Sequence, residues 1–411
     1  MTPDYSASNV SRSVSQSTDV AIVGAGIVGL AHALAAAKQG RKVTVFERNP
    51  YAVGASIRNF GMIWPIGQPV GLLRDRALRT RDIWMDIAPQ ANIAIDPCGS
   101  LHVAYHSDEM AVLEEFIAAS HNYQHTSDLA LLTPEEVAEK SPAVVQDGLL
   151  GALWSSTEAI VDPREAIRRL PDVLHRDYGV EFHFGTVVTD VCHPLLVVGG
   201  DTWRAEHIFV CSGADFETLY PELYRASFET GGLTKVKLQM MRTAPQPNQF
   251  RIGPSLAAGL TLTHYTAFAD CPSLPALKAR IEHTLPQYPR WGIHVMMSQN
   301  AAGELVIGDS HEYGWNPEPF DRAEINRYIL DYLRTFAHVP SLDIETYWNG
   351  VYAKLPGKTE LIAVPEPGVT VVNALSGAGM TLSFGLAEEV VGQVLKTTSH
   401  GAVAMTGEVV V

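Results

Sequence analysis

The sequence predicts an α/β fold of two interleaved parts: an open sheet of mainly parallel strands, and an α+β unit built on an antiparallel sheet. Three stretches carry that expectation. DVAIVGAGIVGLAHALAAA (19–37) leads into the apolar strand KVTVF (42–46). HIFVCSGAD (207–215) is an apolar strand running directly into Ser-Gly-Ala. VTVVNALSGAGMTLSFGLAEEVVGQVL (369–395) reads as strand, Gly-rich turn and a helix beginning near Met380. One sheet thus draws strands from the start, middle and end of the chain.

The first stretch has two readings. After Asp19 come eighteen residues without formal charge, close to the length that spans a bilayer. Three glycines and His32 interrupt the run, and no cluster of Lys or Arg orients it. A nucleotide-binding turn explains more. Val20–Val23 forms a buried strand, Gly24, Gly26 and Gly29 fall at the G-x-G-x-x-G spacing, and Leu30–Lys38 is Ala-rich and helical. Gly40 ends the helix, and Lys42–Phe46 closes on Glu47. Gly24 permits a tight turn, Gly26 lets backbone approach a pyrophosphate, and Gly29 allows close helix–strand packing. The helix amino terminus offers N–H groups and positive dipole to phosphates. Glu47, 23 residues after Gly24, can accept both hydrogens of a ribose diol. Membrane insertion is not expected.

At 411 residues the chain exceeds one ordinary core, and two domains are expected. A net charge of −15 argues against a nucleic-acid partner. Any anionic substrate must therefore meet a local cluster of positive charge. Cys98, Cys192, Cys211 and Cys271 show no C-x-x-C or metal-ligand spacing. Cys192 and Cys211 lie in apolar strand-like runs and read as buried thiols. Residues 1–17, polar and Ser-rich, read as a disordered leader and not a signal peptide, with a cytoplasmic location.

The sheet-forming segments place one domain at 18–95, 151–215 and 346–400. Residues 96–150 and 216–345, richer in Pro, aromatics and His, form the substrate-facing domain. VEFHFGTVVTDV (180–191) alternates like a strand pair. LTLTHYTAF (260–268) and WGIHVMMSQ (291–299) read as aromatic strands roofing a cavity.

The fingerprint through Glu47-Arg48 is followed by GASIRNFGMIWP (54–65), LWSSTEAIVDPREAI (153–167), VCSGAD (210–215), KLQMMR (237–242), GELVIGDS (303–310) and GAGMTLSFGLAEE (377–389). With these landmarks the chain resembles the glycine oxidase / D-amino acid oxidase superfamily of FAD-dependent oxidoreductases, from Asp19 to about Leu395. The resemblance implies a Rossmann-like FAD-binding domain of the GR2/DAO type. More narrowly, RNFGMIWPIGQ, KLQMMRTAPQP and IGDSHEYG look like a subgroup associated with bacterial phosphonate use. That subgroup implies oxidation of 2-aminoethylphosphonate or an N-methylated or hydroxylated relative.

Carried over position by position, the resemblance puts Gly24, Gly26, Ile27 and Gly29 at the FAD pyrophosphate. Glu47 and Arg48 then lie on the adenosine side, Ser56 and Asn59 beside the isoalloxazine and ribityl groups, and Val188 at adenine. Gly213 packs on the dinucleotide, and Gly377, Gly379, Met380 and Thr381 lie at the flavin N1/C2 edge. A helix amino terminus there can stabilise negative charge developing at N1 and O2.

Two departures matter. Relatives acting on α-amino acids usually carry an arginine in a W-x-G-x-R-like stretch, and here WNGVYAKLPGK (348–358) has Tyr352 at that position. A second arginine is missing from VVNALSGAG (371–379), and no cysteine lies between 348 and 360 to attach flavin covalently. Noncovalent FAD is expected, and an ordinary α-carboxylate substrate is in doubt.

Flavin chemistry asks the protein mainly to orient and tune. No metal site is expected, since no H-E-x-x-H pair occurs among the fifteen histidines. Lys354 is the first candidate anion anchor, two residues from Tyr352 on one strand face, against a solvated loop lysine. Arg58 is a second, against a structural ion pair. His264, Tyr265 and His294 are candidate cavity ligands, against core or rim. Trp348 and Trp64 can wall the flavin, against ordinary core packing. Arg242 and Lys237 read equally well as structural. The expected function is FAD-dependent oxidation of a small amine, with O2 or another electron acceptor. The alternatives are an oxidase or dehydrogenase of glycine, sarcosine or a D-amino acid, and a flavin-binding sensor or assembly subunit without turnover.

Overall fold

A computed structural model describes residues 14–120 and 128–397. Its first sheet has eight strands. Val14–Val23 lies parallel to Asp201–Val210 on one side and to Val43–Glu47 on the other. Glu181–Phe184 and Val369–Asn373 extend the parallel run outward. Parallel strands covered on both faces need continuous apolar runs. Val20, Ala21, Ile22, Val43, Val45 and Phe46 are accordingly all buried. The register sets Val23 beside both Phe46 and Val210, so the chain leaves three strands at one end of the sheet. Open sheets of this kind bind ligands there.

Helix Ile27–Lys38 packs between this sheet and helix Gly379–Thr397. Helix Leu72–Gln90 crosses the latter and pins it. Trp84 Nε1 donates to the Met380 carbonyl at 2.9 Å, and Arg76 pairs with Glu389 at 2.7 Å and Glu360 at 2.9 Å. The start of the last helix is thereby fixed relative to the first.

The second sheet has nine strands around Thr234–Pro245, which pairs antiparallel with Glu304–Gly308, Glu312–Gly314 and Ile344–Lys354. One pair, Ser255–Ala257 with Ser100–Ala104, is parallel, so the sheet is not wholly antiparallel. Gly151–Ser155 and Ile344–Lys354 belong to this sheet, although the sequence reading placed both with the nucleotide-binding part. The strand 344–354 runs along the boundary, which is why its apolar and polar alternation suits either side.

Other expectations need correcting. Val14–Ser17 continue the first strand, with Val14 paired to Thr202 and Ser17 to Arg204, so this part of the expected leader is ordered. The rest of the leader lies outside the described residues. Glu181–Phe184 and Val188–Cys192 are not partners but occupy opposite ends of the first sheet. Gly259–His264 is helical and Thr266–Phe268 a 3₁₀ turn, where the L-T-L-T alternation suggested a strand. Leu260, Thr261 and Leu262 are all buried there, and packing on several sides overrides an alternating pattern. Cys192 is exposed because it ends a two-stranded antiparallel flap at the sheet's margin, whereas Cys211 is buried. Lys237 and Arg242 have structural partners: Asp321 at 3.2 Å and Glu312 at 3.6 Å for the lysine, Glu304 at 3.4 Å for the arginine. Among the described residues no helix is long and apolar enough to cross a membrane.

Candidate cofactor and substrate site

The chain leaves Val23 through Gly24 at φ +103°, with the Gly24 N–H donating to the Phe46 carbonyl at 2.8 Å. A Cβ on Gly24 would stand 2.5 Å from the Cys211 carbonyl oxygen, and one on Gly29 would stand 1.9 Å from that of Gly24. The turn is closed by its neighbours. Glu47, buried at the tip of the adjacent strand, accepts from the Ala25 N–H at 3.0 Å and from the Asn49 backbone and side-chain amides at 3.0 and 3.1 Å. Three of its roughly four acceptor positions are thus used. Ser56 Oγ accepts from the Ile27 N–H at 3.0 Å. That amide, expected to be open to phosphate, already has a protein partner.

A cleft of about 420 Å³ runs from this turn across the strand ends. Gly24, Gly26, Ile27, Glu47, Arg48, Ser56, Arg58 and Asn59 line one part of it. Val188, Gly213, Tyr352, Gly377, Gly379 and Met380 line the rest. Gly29 stands behind the turn, and Thr381 is buried with its hydroxyl accepting from the Trp64 N–H at 2.9 Å. Arg48 pairs with Asp215, and both residues line the cleft. Asn59 shapes its own turn, donating to the Ala55 and Ser56 carbonyls while accepting from the Gly61 N–H. Arg58 also lines the cleft, and its guanidinium donates to the Asn349 carbonyl at 3.2 Å. At the far end Ala374 (φ 58°), Ser376 (φ 51°) and Gly377 (φ 82°) take left-handed conformations just before the last helix. Non-glycine residues held there cost free energy, and such positions cluster at ligand clamps.

Tyr352 is where this cleft meets a second group of side chains. A Cβ on Gly377 would lie 3.2 Å from the Tyr352 ring. Two residues on, Lys354 shares its strand face and donates to Tyr313 Oη at 3.3 Å. Nearby, His264 stacks on His294 with ring centroids 3.8 Å apart, and His311 lies 4.6 Å from His264 and 5.4 Å from His294. One ring nitrogen from each histidine lies within 4.8 Å of the others. Tyr265 packs edge-on against His264 and His294, while Trp348 lies apart, its Nε1 donating to the Arg58 carbonyl at 3.3 Å. Lys354, His264, Tyr265, His294 and Trp348 are not among the residues lining the cleft itself.

Asp309 is buried beneath the histidines, with Oδ1 paired to His294 Nε2 at 2.9 Å. Burial would raise its pKa, and His294 and His311 outweigh that and hold it low. His311 Nδ1 lies 2.8 Å from the Gly292 carbonyl, which fixes the proton on Nδ1 in the neutral ring. Burial pushes the His311 pKa down to about 4, with Asp309 opposing in part. His264 keeps some open surface, but enclosure by protein, then His294, His311 and Lys354, holds its pKa well below the usual range. Asp309 and His311 were not anticipated from sequence. The three histidines come from separate segments, so no local spacing marks them.

The sequence matches the family described as "DAO: FAD dependent oxidoreductase" over residues 19–393. The chain belongs to the FAD-dependent oxidoreductase family. It is similar to the D-amino-acid oxidase of Streptomyces coelicolor, 35% identical over 71 residues, which cover 17% of this chain and 22% of that protein. The D-amino acid dehydrogenase of Helicobacter pylori is 25% identical over 251 residues, 48% of this chain and 60% of that one. The matches therefore span less than two thirds of either relative. Glycine oxidase from Geobacillus kaustophilus shares the fold at a TM-score of 0.71 and 19% identity, covering 92% of this chain and 95% of that one. L-proline dehydrogenase from P. horikoshii does so at 0.70 and 19%, covering 93% and 94%.

The cleft fits FAD by its own chemistry. A dinucleotide needs backbone unobstructed by side chains near its phosphates, an acceptor for ribose hydroxyls, and an apolar slot for a flat ring. Gly24 and Gly26 could supply the first, Glu47 the second through its remaining acceptor position, and Leu238, Val351 and Met380 the third.

Proposed function

We propose that this FAD-dependent oxidoreductase oxidises the C–N bond of a small amine, best an aminophosphonate such as 2-aminoethylphosphonate or its N-methyl form. Two-electron oxidation gives an imine, whose hydrolysis by water yields the corresponding aldehyde with ammonia or methylamine, and O2 or another acceptor takes the two electrons. Bound FAD supplies two-electron oxidation of the substrate carbon–nitrogen unit. The chain's residues hold and orient. Gly24, Gly26 and the helix start at Ile27 face the pyrophosphate, Glu47 the adenosine ribose and Val188 the adenine. Ser56, Asn59, Gly377, Gly379 and Met380 surround the flavin end. FAD is held noncovalently, so acid precipitation releases it from the protein. Glu47→Ala loses a charge-assisted contact of about 1.5–3 kcal/mol and also frees the Ala25 and Asn49 amides. FAD retention after gel filtration should fall accordingly, and unchanged retention would remove Glu47 from the cofactor site.

One observation carries the substrate class. Beside Tyr352, which stands where carboxylate-binding relatives carry arginine, lie Lys354 and three histidines in place of a guanidinium fork. A planar carboxylate is best met by arginine, whereas a tetrahedral dianion takes several donors spread in three dimensions. Arg58 favours the second reading, an amine carrying a carboxylate such as glycine, sarcosine or a D-amino acid, because it lines the cleft. Anaerobic bleaching of the flavin separates the two. Aminophosphonates are expected to bleach it faster than glycine, sarcosine or D-alanine. Lys354→Met should raise the apparent KM about tenfold or more, the loss of one charged hydrogen bond, with FAD content unchanged. If carboxylated amines win, the substrate assignment fails, and if KM stays put, Lys354 is not the anchor. A chain that no amine bleaches acts as a flavin-binding sensor or assembly subunit.

A further inference from the structure

We infer that His264, His294 and His311 form a proton-loading anion pocket: a tetrahedral dianion entering beside Lys354 is bound together with protons taken up by the imidazoles. The location rests on the proposed substrate side of the cleft, but the property is one of this side-chain cluster alone.

The geometry supports it in three ways. First, one ring nitrogen from each of the three histidines lies within 4.8 Å of the others, and His264 and His294 stack nearly parallel at 22°. Second, His294 Nδ1 is buried without a hydrogen-bond partner on a residue only 3% exposed, while its Nε2 faces Asp309 Oδ1 at 2.9 Å. Buried polar atoms are normally satisfied, and this imidazole nitrogen has a hydrogen bond left to make. Third, fixed charge in the cluster is balanced, Lys354 against Asp309. A dianion needs more positive charge than one lysine brings, and only the histidines can supply it near neutral pH.

The groups that face the cluster come from four segments. The end of helix Gly259–His264 brings His264 and Tyr265, and the segment before Met296 brings His294. The turn after Gly308 brings Asp309, His311 and Tyr313, and the strand Ile344–Lys354 brings Tyr352 and Lys354. Burial, followed by Asp309, raises the Tyr265 and Tyr352 hydroxyl pKa values, so both stay neutral. His264 and His311 are held below their ordinary pKa in the free protein, hence uncharged at pH 7. An adjacent dianion acts in the opposite direction. Uptake occurs at pH values between the free and bound pKa values, and above the bound value the dianion binds without protons and more weakly.

Sulfate tests this, because it remains a dianion throughout and any proton must go to the protein. The FAD-loaded protein is titrated with sulfate by calorimetry in two buffers of different ionisation enthalpy. We expect uptake of about one proton at pH 7 and an apparent Kd that rises up to about tenfold per pH unit, the slope for one linked proton. Acetate should show less of both. His264→Gln and His311→Gln should each reduce the uptake while FAD content and the flavin spectrum stay constant. Sulfate that does not bind, that binds without proton uptake, or whose uptake survives both substitutions overturns the inference. So does stoichiometric zinc whose removal abolishes the effect. Proton-coupled sulfate binding in a protein bleached only by glycine would leave the inference standing and sink the aminophosphonate reading. Aminophosphonate bleaching with no sulfate-linked uptake would do the reverse.

Discussion

Gly29→Ala is expected to yield a chain that retains no FAD and melts far below the parent, or fails to accumulate folded. The reason is space and not backbone conformation, since Gly29 lies within the helix Ile27–Lys38. Its new Cβ would sit 1.9 Å from the Gly24 carbonyl oxygen and 3.3 Å from Ile22 Cγ2. Neither can yield easily. Gly24 is held at φ +103° by its bond to the Phe46 carbonyl, and Ile22 is fully buried in the central strand. The helix must move outward, away from the turn it supports. Overpacking of a core typically costs about 1–3 kcal/mol, and contact with a fixed backbone oxygen belongs at or beyond the upper end. Gly392→Ala is the matched control. It lies in the helix Gly379–Thr397, has no atom within 4 Å of its prospective Cβ, and should gain about 0.5–1 kcal/mol. Thermal melts and the ratio of flavin to protein absorbance check both. Two alanines that shift the melt alike would end the argument from close packing.

Gly29 illustrates what could be read from the sequence. The glycine turn, its helix and Glu47 lie within one local segment, and each has a fixed mechanical task, so spacing alone located them at one end of the sheet. The strand–turn–helix at 369–397 was legible for the same reason. The histidine cluster was not. His264 at the end of helix 259–264, His294 before strand 296–299 and His311 after strand 304–308 meet only in the folded chain, and no short-range pattern encodes that meeting. The position of Thr381 at a helix start was legible, but not the direction of its hydroxyl, which accepts from the Trp64 N–H. Strands 151–155 and 344–354 join the second sheet, although ranges 151–215 and 346–400 were expected in the nucleotide-binding part, because an alternating strand does not name its partner.

Acid is expected to unfold the protein while most of its carboxylates are still ionised. His32 is wholly buried in helix Ile27–Lys38, where burial outweighs its contact with the Val28 carbonyl and holds its pKa at about 4. His102 is also wholly buried, and burial, then Arg74, holds it at about 3. Burial holds His311 at about 4. In the unfolded chain these rings bind protons near pH 6.5, in the folded chain only two or more units lower. Between those values the unfolded state carries more protons, so stability is full above about pH 6.5 and is lost as the pH falls towards 4. At pH 5 each histidine contributes about 2 kcal/mol of loss, about 6 kcal/mol for the three together, against a total stability of roughly 5–15 kcal/mol. The melting temperature should therefore drop steeply from pH 7 to pH 5 in anion-free buffer. His32→Leu, remote from the histidine cluster, should remove about a quarter of that pH dependence, since His264 is held low as well, whatever it does to stability at pH 7. The readout is the slope and not the absolute melting point, so a destabilised variant still decides the matter. Parallel curves for parent and variant would show that His32 is protonated at the same pH in both states, contrary to its complete burial.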